Sequence, residues 1–335
     1  MILVTGGAGY IGSHIVIDLL ENNYEVLVID NFSNSYSSVL NNIKSITNKN
    51  FFFEEIDIRN FNALKKLFAD YKISHVIHFA ALKSVEDSFL NEKSYLENNI
   101  HGTENVIKIM EREDIKKIIF SSSAAVYGKT TKLPISESNQ VNPKSPYAET
   151  KLKSEDLLRQ ASLRNKDWSI ISLRYFNPAG AHPSYLIGEN PKMIGKNIFP
   201  ALGKVAGRQD RFFQIFGDDY NTPDGTCIRD YIHINDLTAG HISALKFLEN
   251  KKGIEIINLG TGKGFSVKEI INRFEVSNNI EINVKIGPRR KGDIESCYAD
   301  VNKAYKLLDW QAKYNLDDMC KDYWNWKIKN AEEKK

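Results

Sequence analysis

Short apolar runs alternate with stretches of helical periodicity through the first half of the chain. Ile2-Leu3-Val4 precedes a glycine-rich turn and then apolar positions at Ile15, Leu19 and Leu20, the succession of strand, turn and helix. Glu25 to Ile29 forms the next run, and Phe51-Phe52-Phe53 leads through Asp57-Ile58 to a helical pattern at Leu64, Leu67 and Phe68. His75 to Ala81 reads as a strand, 92–112 as one long helix, Ile118-Ile119-Phe120 as a strand, Tyr147 to about Leu163 as a helix, and Ser169 to Leu173 as a strand. Such alternation predicts an α/β fold, a doubly wound parallel sheet of Rossmann type.

After Asn177-Pro178-Ala179-Gly180 the alternation loosens, and Gly, Pro and Asn become frequent through Asn197. A helix near 198–206, a strand at Phe213 to Phe216 and a turn through Pro223-Asp224-Gly225 follow. The pattern predicts a dinucleotide-binding lobe over 1–176 and a smaller α/β lobe over 177–330. A helix from Asp236 to Leu248 and the run Ile254 to Leu259 return to the first lobe, near 235–260. From Phe265 to Lys329 the expectation is short helices and one strand.

Composition narrows the class. A chain of 335 residues with 42% hydrophobic and 26% charged residues is an ordinary globular protein, long enough for two lobes. The net charge of +3, with acids and bases interleaved, argues against a nucleic-acid partner. Arg289-Arg290-Lys291 is too short for a nucleic-acid or import signal and meets Asp293 at once, so Lys291 reads as solvated surface. Cys227, Cys297 and Cys320 lie far apart without metal-ligand spacing; no metal is expected, and a reducing, cytoplasmic setting fits. Met1 runs straight into an apolar run without a leader, no stretch approaches a membrane span, and Glu332-Glu333-Lys334-Lys335 reads as a fraying tail.

Candidate chemistry falls at strand ends. Gly6, Gly9 and Gly12 sit at the first strand-to-helix junction, where backbone amides can meet a pyrophosphate. Asp30 closes the second strand about 20 residues on, where a carboxylate can accept both ribose hydroxyls and repels a 2′-phosphate, favouring NAD over NADP. The polar loop Asn31 to Ser35 can wrap an adenosine, and small Ala80 and Ala81 leave room for a ligand; His78 reads as a core residue. In Ser145-Pro146-Tyr147-Ala148-Glu149-Thr150-Lys151, proline suits a first helical turn, so Tyr147 and Lys151 share one face. An ammonium beside a phenol favours the phenolate, a general base whose ordinary pKa of about 10 needs roughly two to three units of depression. Tyr323 and Lys327 repeat the spacing without the hydroxyl-rich neighbourhood of Ser121 to Gly128, where Ser123 is the candidate hydrogen-bond partner of the reacting hydroxyl. Tyr147, Ser123 and a dinucleotide together suit hydride transfer at a hydroxyl-bearing carbon. Arg229 and Arg290 could converge on a pyrophosphate.

Several segments carry a resemblance that spans nearly the whole chain, in order. They are Thr5 to His14, His78 to Lys83, Ser121 to Gly128, Ser145-Pro146-Tyr147, Leu173 to Asn177, Arg229 to His233 and Pro288 to Asp293. Together they resemble the UDP-glucose 4-epimerases of the extended short-chain dehydrogenase/reductase family. The resemblance implies Tyr147 as base, Lys151 as its partner and Ser123 as the substrate-hydroxyl contact. It implies NAD contacts at Tyr10, Ile11, Asp30, Asn31, Phe32, Ser33, Asn34, Ser35, Asp57, Ile58, Phe79, Ala80, Ala81, Leu82, Lys83, Asn98 and Phe176. UDP-hexose contacts would be Asn177, Asn197, Ile198, Gln214, Phe216, Arg229, Arg290 and Asp293. It further implies a homodimer built from the helices near 92–112 and 147–163.

The reaction implied is redox-neutral: carbon 4 of the hexose becomes a ketone, the sugar swings about the pyrophosphate, and the hydrogen returns to the other face. Ala125 stands where many relatives carry Thr and Ala148 where many carry Gly, both outside the catalytic set. Cys297 aligns where relatives carry Tyr or a small residue, and the small version implies that UDP-GlcNAc and UDP-GalNAc are also accepted. The alternatives are a UDP-pentose 4-epimerase, a nucleotide-sugar 4,6-dehydratase and, from another class, a non-catalytic sensor of NAD and nucleotide sugar. Dehydratases place Asp-Glu within the hydroxyl cluster, where this chain has Ser and Ala; intact Ser123, Tyr147 and Lys151 argue against a sensor.

Overall fold

The computed structural model describes residues 1–130, 132–192, 197–290 and 292–332. Lys291 and the tail residues Glu333, Lys334 and Lys335 lie outside them. The chain opens with β1 (Ile2–Thr5), α1 (Tyr10–Glu21), β2 (Val26–Asp30), α2 (Ser38–Thr47), β3 (Phe52–Glu55), α3 (Phe61–Asp70) and β4 (His75–His78). It continues through α4 (Val85–Leu90), α5 (Glu92–Tyr95), α6 (Gly102–Arg112), β5 (Lys117–Ser123), α7 (Pro146–Arg164) and β6 (Ser169–Tyr175). Then come β7 (Asn177–Ala179), α8 (Ile198–Ala206), β8 (Phe213–Phe216), β9 (Ile228–His233), α9 (Ile234–Leu248) and β10 (Gly253–Leu259). The chain closes with β11 (Gly264–Ser266), α10 (Val267–Asn278), β12 (Val284–Gly287), β13 (Ser296–Cys297), α11 (Asn302–Leu308) and α12 (Leu316–Glu332).

Seven strands form one sheet in the order β10-β6-β5-β4-β1-β2-β3, every pair parallel. Parallel sheets need both faces covered, and the burial follows: one face packs Ile15, Leu19, Ile119, Leu173 and Leu245, the other Leu3, Leu64, Val106, Ile118 and Leu158. The strand order reverses between β1 and β4, the place where open sheets of this class take their ligands. After β6 the chain leaves this sheet. β9 is the centre of a second sheet, paired with β7, β11 and β13, while β8 and β12 form a two-stranded parallel pair. α9 and β10 then return, with β10 in register along the whole of β6.

Two expectations differ from the structure. The long helix over 92–112 is broken by a π-helical turn, Leu96–His101, between α5 and α6; helical periodicity does not register one wider turn, and such turns collect at functional sites. Beyond Phe265 there are three strands rather than one, and α12 is not short. β11 and β13 are three and two residues long, too brief to show alternation, and exist by pairing with β9. α12 buries Met319, Cys320, Tyr323 and Trp326 against Phe274 and its neighbours, so Tyr323 is a core residue. α12 also runs through Glu332, the first residue of the segment expected to fray.

Candidate active site

A cavity of about 1030 Å³ opens between the carboxyl ends of the large sheet and the β8, β9 and α8 region. That is the upper end of the range for a single small ligand. On the dinucleotide side, Gly9 precedes α1 with no side-chain cap, and the first turn holds no acid, so its amides remain available to an anion. Gly12 must be glycine: a Cβ there would lie 2.2 Å from the Gly6 carbonyl oxygen. Gly6 has φ +69°, and a Cβ would meet the Ala80 amide at 2.8 Å. The close passage of β1's turn against Phe79 and Ala80 leaves a backbone-lined cradle that suits a pyrophosphate, so the residues present fit NAD.

Asp30 is buried at the end of β2. Its Oδ1 accepts from the Phe32 amide (2.9 Å) and the Ser35 hydroxyl (2.8 Å), and its Oδ2 from the Ala8 amide (3.0 Å). These bonds hold the carboxylate at the cavity wall with accepting capacity left over. Asn31, Ser33, Asn34 and Ser35 line the cavity. Phe32 does not: its φ of +52° turns it away, and its ring packs on Phe53 at 5.3 Å. Asp57 also lies off the wall. Arg59 binds its carboxylate at 2.9 and 2.6 Å and holds its pKa down to about 2, and Asn31 donates to it at 2.8 Å. Ile56 and Ile58 on either side of it do line the cavity.

Tyr10, Ile11, Phe79, Ala80, Ala81, Leu82, Lys83, Asn98 and Phe176 are all on the wall. The loop after β4 is fixed by buried Asn99, which accepts from the Leu82 amide (2.8 Å) and donates to the Leu82 carbonyl and Thr150 Oγ1 (3.0 Å each). His78 is a core residue, bonded to Thr5 Oγ1 (2.7 Å) and Thr103 Oγ1 (2.9 Å).

The reactive group sits where β5 meets α7. Ser145 caps α7, its side chain accepting from the Ala148 amide at 3.2 Å, and Pro146 occupies the first turn. Tyr147 and Lys151 therefore face the cavity, as does Ser123 at the end of β5. Ser123 Oγ also accepts from the Ala125 amide at 3.2 Å, starting a 3₁₀ turn, so it has a local task as well.

The electrostatics reverse one expectation. Burial raises the Tyr147 pKa above its ordinary value, opposed only by the Ser123 hydroxyl. Burial likewise pushes the Lys151 ammonium down to about 7, against the charge of Glu155. Lys151 Nζ donates to the Ser121 carbonyl at 2.7 Å. In the folded chain alone, desolvation sets the direction of both shifts, because both groups leave water together.

Behind them lies an ion pair that sequence reasoning missed. Glu155, one turn beyond Lys151, accepts from Arg174 at 2.6 and 3.0 Å, Ser122 at 2.6 Å and Ser172 at 2.9 Å, fully buried. Burial alone would lower the Arg174 pKa, but the Glu155 hydrogen bonds and charge outweigh it and raise it. No motif flagged the pair, since a Glu on a helix and an Arg in a strand are individually unremarkable.

On the opposite wall stand Asn177, Asn197, Ile198, Gln214, Phe216, Arg229, Arg290, Asp293 and Cys297. Arg229 donates to the Ile228 and Ile294 carbonyls (2.9 and 2.7 Å), and its other nitrogen lies 3.5 Å from Asp293. Arg290 grips Asp293 at 3.1 Å through two nitrogens and stacks over Phe216, 5.2 Å from the ring centre. The two guanidinium groups thus converge, with one carboxylate between them.

A family model described as GDP-mannose 4,6 dehydratase matches residues 3–323. A UDP-glucose 4-epimerase of Dictyostelium discoideum is 47% identical over 330 residues, covering 98% of this chain and 96% of that one. The chain belongs to the UDP-glucose 4-epimerase family. The crystal structure of the Bifidobacterium longum UDP-glucose 4-epimerase in complex with NAD+ and UDP superposes with a TM-score of 0.96 at 44% identity over 98% of each chain. The UDP-Glc/GlcNAc 4-epimerase of Campylobacter jejuni gives 0.85 at 37% identity, covering 98% of this chain and 99% of that one. The family's α/β fold and this chain's seven-stranded sheet agree.

Proposed function

We propose that this chain is an NAD-dependent isomerase that interconverts UDP-glucose and UDP-galactose at carbon 4 through a 4-keto intermediate. The observation that carries the reading is the facing of two walls of one cavity: Tyr147, Ser123 and Lys151 on the dinucleotide side, Arg229 and Arg290 on the other. NAD, held by the α1 amides, Asp30 and the loop after β4, supplies the two-electron acceptor that takes hydrogen from carbon 4 and gives it back. Tyr147 takes the carbon-4 hydroxyl proton, Ser123 donates to the same oxygen, and Lys151 holds the ribose and biases the phenol. Arg229 and Arg290 anchor the pyrophosphate, with Asn177, Asn197, Ile198, Gln214, Phe216 and Asp293 around the uridine. A firm grip on UDP and a loose one on the sugar lets either face of the ketone turn to the cofactor; a tight sugar site would fix one face. A dehydratase reading lacks its acid, since no Asp or Glu stands anywhere in Ser121 to Gly128.

Cys297 favours a broader substrate range. It is a small side chain on the cavity wall, 8% exposed and adjoining Arg229, and the Campylobacter jejuni relative is named for both sugar classes. We propose that UDP-N-acetylhexosamines are accepted as well. UDP-galactose, UDP-GalNAc and a UDP-pentose offered to the purified protein with NAD should yield UDP-glucose and UDP-GlcNAc as principal products. Cys297→Tyr should lower turnover of the N-acetyl sugar at least tenfold relative to UDP-galactose, about 1.4 kcal/mol of discrimination. An unchanged ratio contradicts the role given to Cys297.

We propose a cytoplasmic setting from the wide spacing of the three cysteines. No helix among the described residues is long and apolar enough to cross a membrane. A homodimer through α5, α6 and α7 is the assembly we propose from the family resemblance.

A further inference from the structure

Glu189 touches both halves of the site at once. It lies in the stretch between β7 and α8, is 5% exposed, and lines the cavity. A single oxygen, Oε1, accepts from Lys83 Nζ at 2.8 Å and from Asn197 Nδ2 at 2.7 Å. Lys83 belongs to the loop after β4, on the dinucleotide side, and its ammonium stands 5.8 Å from the centre of the Tyr10 ring in the first turn of α1. Asn197 is the residue just before α8, on the wall given above to the uridine nucleotide.

A buried carboxylate holds strongly to its cation, because parting them leaves an uncompensated charge. The amide of Asn197 in turn fixes where that carboxylate points. Whatever immobilises Asn197 therefore immobilises Glu189, and with it Lys83. A constraint placed at either end of this chain of contacts lowers the ordering cost at the other.

We propose that Glu189 is a positioning residue that couples the two ligand seats: uridine nucleotide held at Asn197 tightens the hold on NAD through Glu189 and Lys83, and NAD tightens the hold on the nucleotide equally. This rests on the assignment of the two walls to NAD and UDP made above. Its use in a redox-neutral reaction is to keep the cofactor in place while the oxidised sugar is bound, since escape at that point would strand both.

Coupling between two binding sites is reciprocal, so one factor must appear in both directions. NAD is titrated into cofactor-stripped protein with and without saturating UDP, and UDP with and without NAD. In the unaltered protein each ligand should lower the other's Kd by the same factor, about tenfold. In Glu189→Gln, which keeps the shape but removes the carboxylate charge that pairs with Lys83, each ligand should still bind while the factor falls below about twofold. A merely structural role weakens both affinities and leaves the factor intact, which overturns the proposal, as does an absence of coupling in the unaltered protein. Should Glu189→Gln fail to fold, Lys83→Met must abolish the factor instead, and a retained factor there overturns the proposal. Failure of either ligand to bind the unaltered protein overturns the assignment of the walls and this inference with it; binding without coupling overturns the inference alone.

Discussion

Tyr147→Phe is expected to lower kcat for UDP-galactose by roughly 10²–10⁴-fold, the range typical of a lost general base, while UDP still binds. The change removes one oxygen and leaves the ring in the first turn of α7, so folding should be little affected. At about 1.4 kcal/mol per tenfold, that is on the order of 3–5 kcal/mol of barrier. The electrostatics sharpen the expectation. Burial raises the Tyr147 pKa in the folded chain, and Lys151, pushed down to about 7, donates to Ser121 rather than to the phenol. The phenol of the ligand-free protein should therefore titrate above the ordinary value for tyrosine in ultraviolet difference spectra, a signal that Tyr147→Phe removes. Addition of NAD should move that signal toward neutrality, because a cation placed at the same oxygen restores the preference for phenolate.

The second large effect is on stability. Arg174→Met should cost about 3–5 kcal/mol, the usual penalty for breaking a buried ion pair, because Glu155 is wholly buried and would lose the cation that binds both its oxygens, keeping Ser122 and Ser172 as hydrogen-bond partners. Combining Arg174→Met with Glu155→Leu should recover much of the loss, since apolar replacement of a buried pair is often neutral. Thermal or denaturant melts of the three variants measure this. Glu155 also stands one turn from Lys151 and bonds Ser122, so the single variant should disturb the catalytic strand end as well.

Much of this architecture was legible beforehand, and the reasons are physical. β1 and β2 are buried on both faces and read as apolar runs up to their last residue, while β5 and β6 carry shorter ones at Ile118 to Phe120 and at Ile170-Ile171. Proline in the first turn after a capping serine placed Tyr147 and Lys151 on one helical face. The second lobe was harder. β11 and β13 owe their existence to β9 and, at three and two residues, are too short to show alternation. Glu189 lies in a stretch rich in Gly, Pro and Asn, where no periodicity distinguishes a buried acid from a solvated one. The Glu155 and Arg174 pair joins residues 19 apart, a contact that only the packing of α7 on the sheet creates. The orientation of Phe32 and Asp57 depended on a positive φ and on Arg59, neither of which a motif records. The sequence displays the charge of a neighbouring lysine but not the desolvation that both groups share in the ligand-free chain.

The most direct test follows the hydrogen at carbon 4. UDP-galactose carrying deuterium there, incubated with the protein and NAD in ordinary water, should give UDP-glucose that keeps the label at carbon 4. Loss of the label to solvent, or its retention only in a dehydrated sugar, would contradict the account.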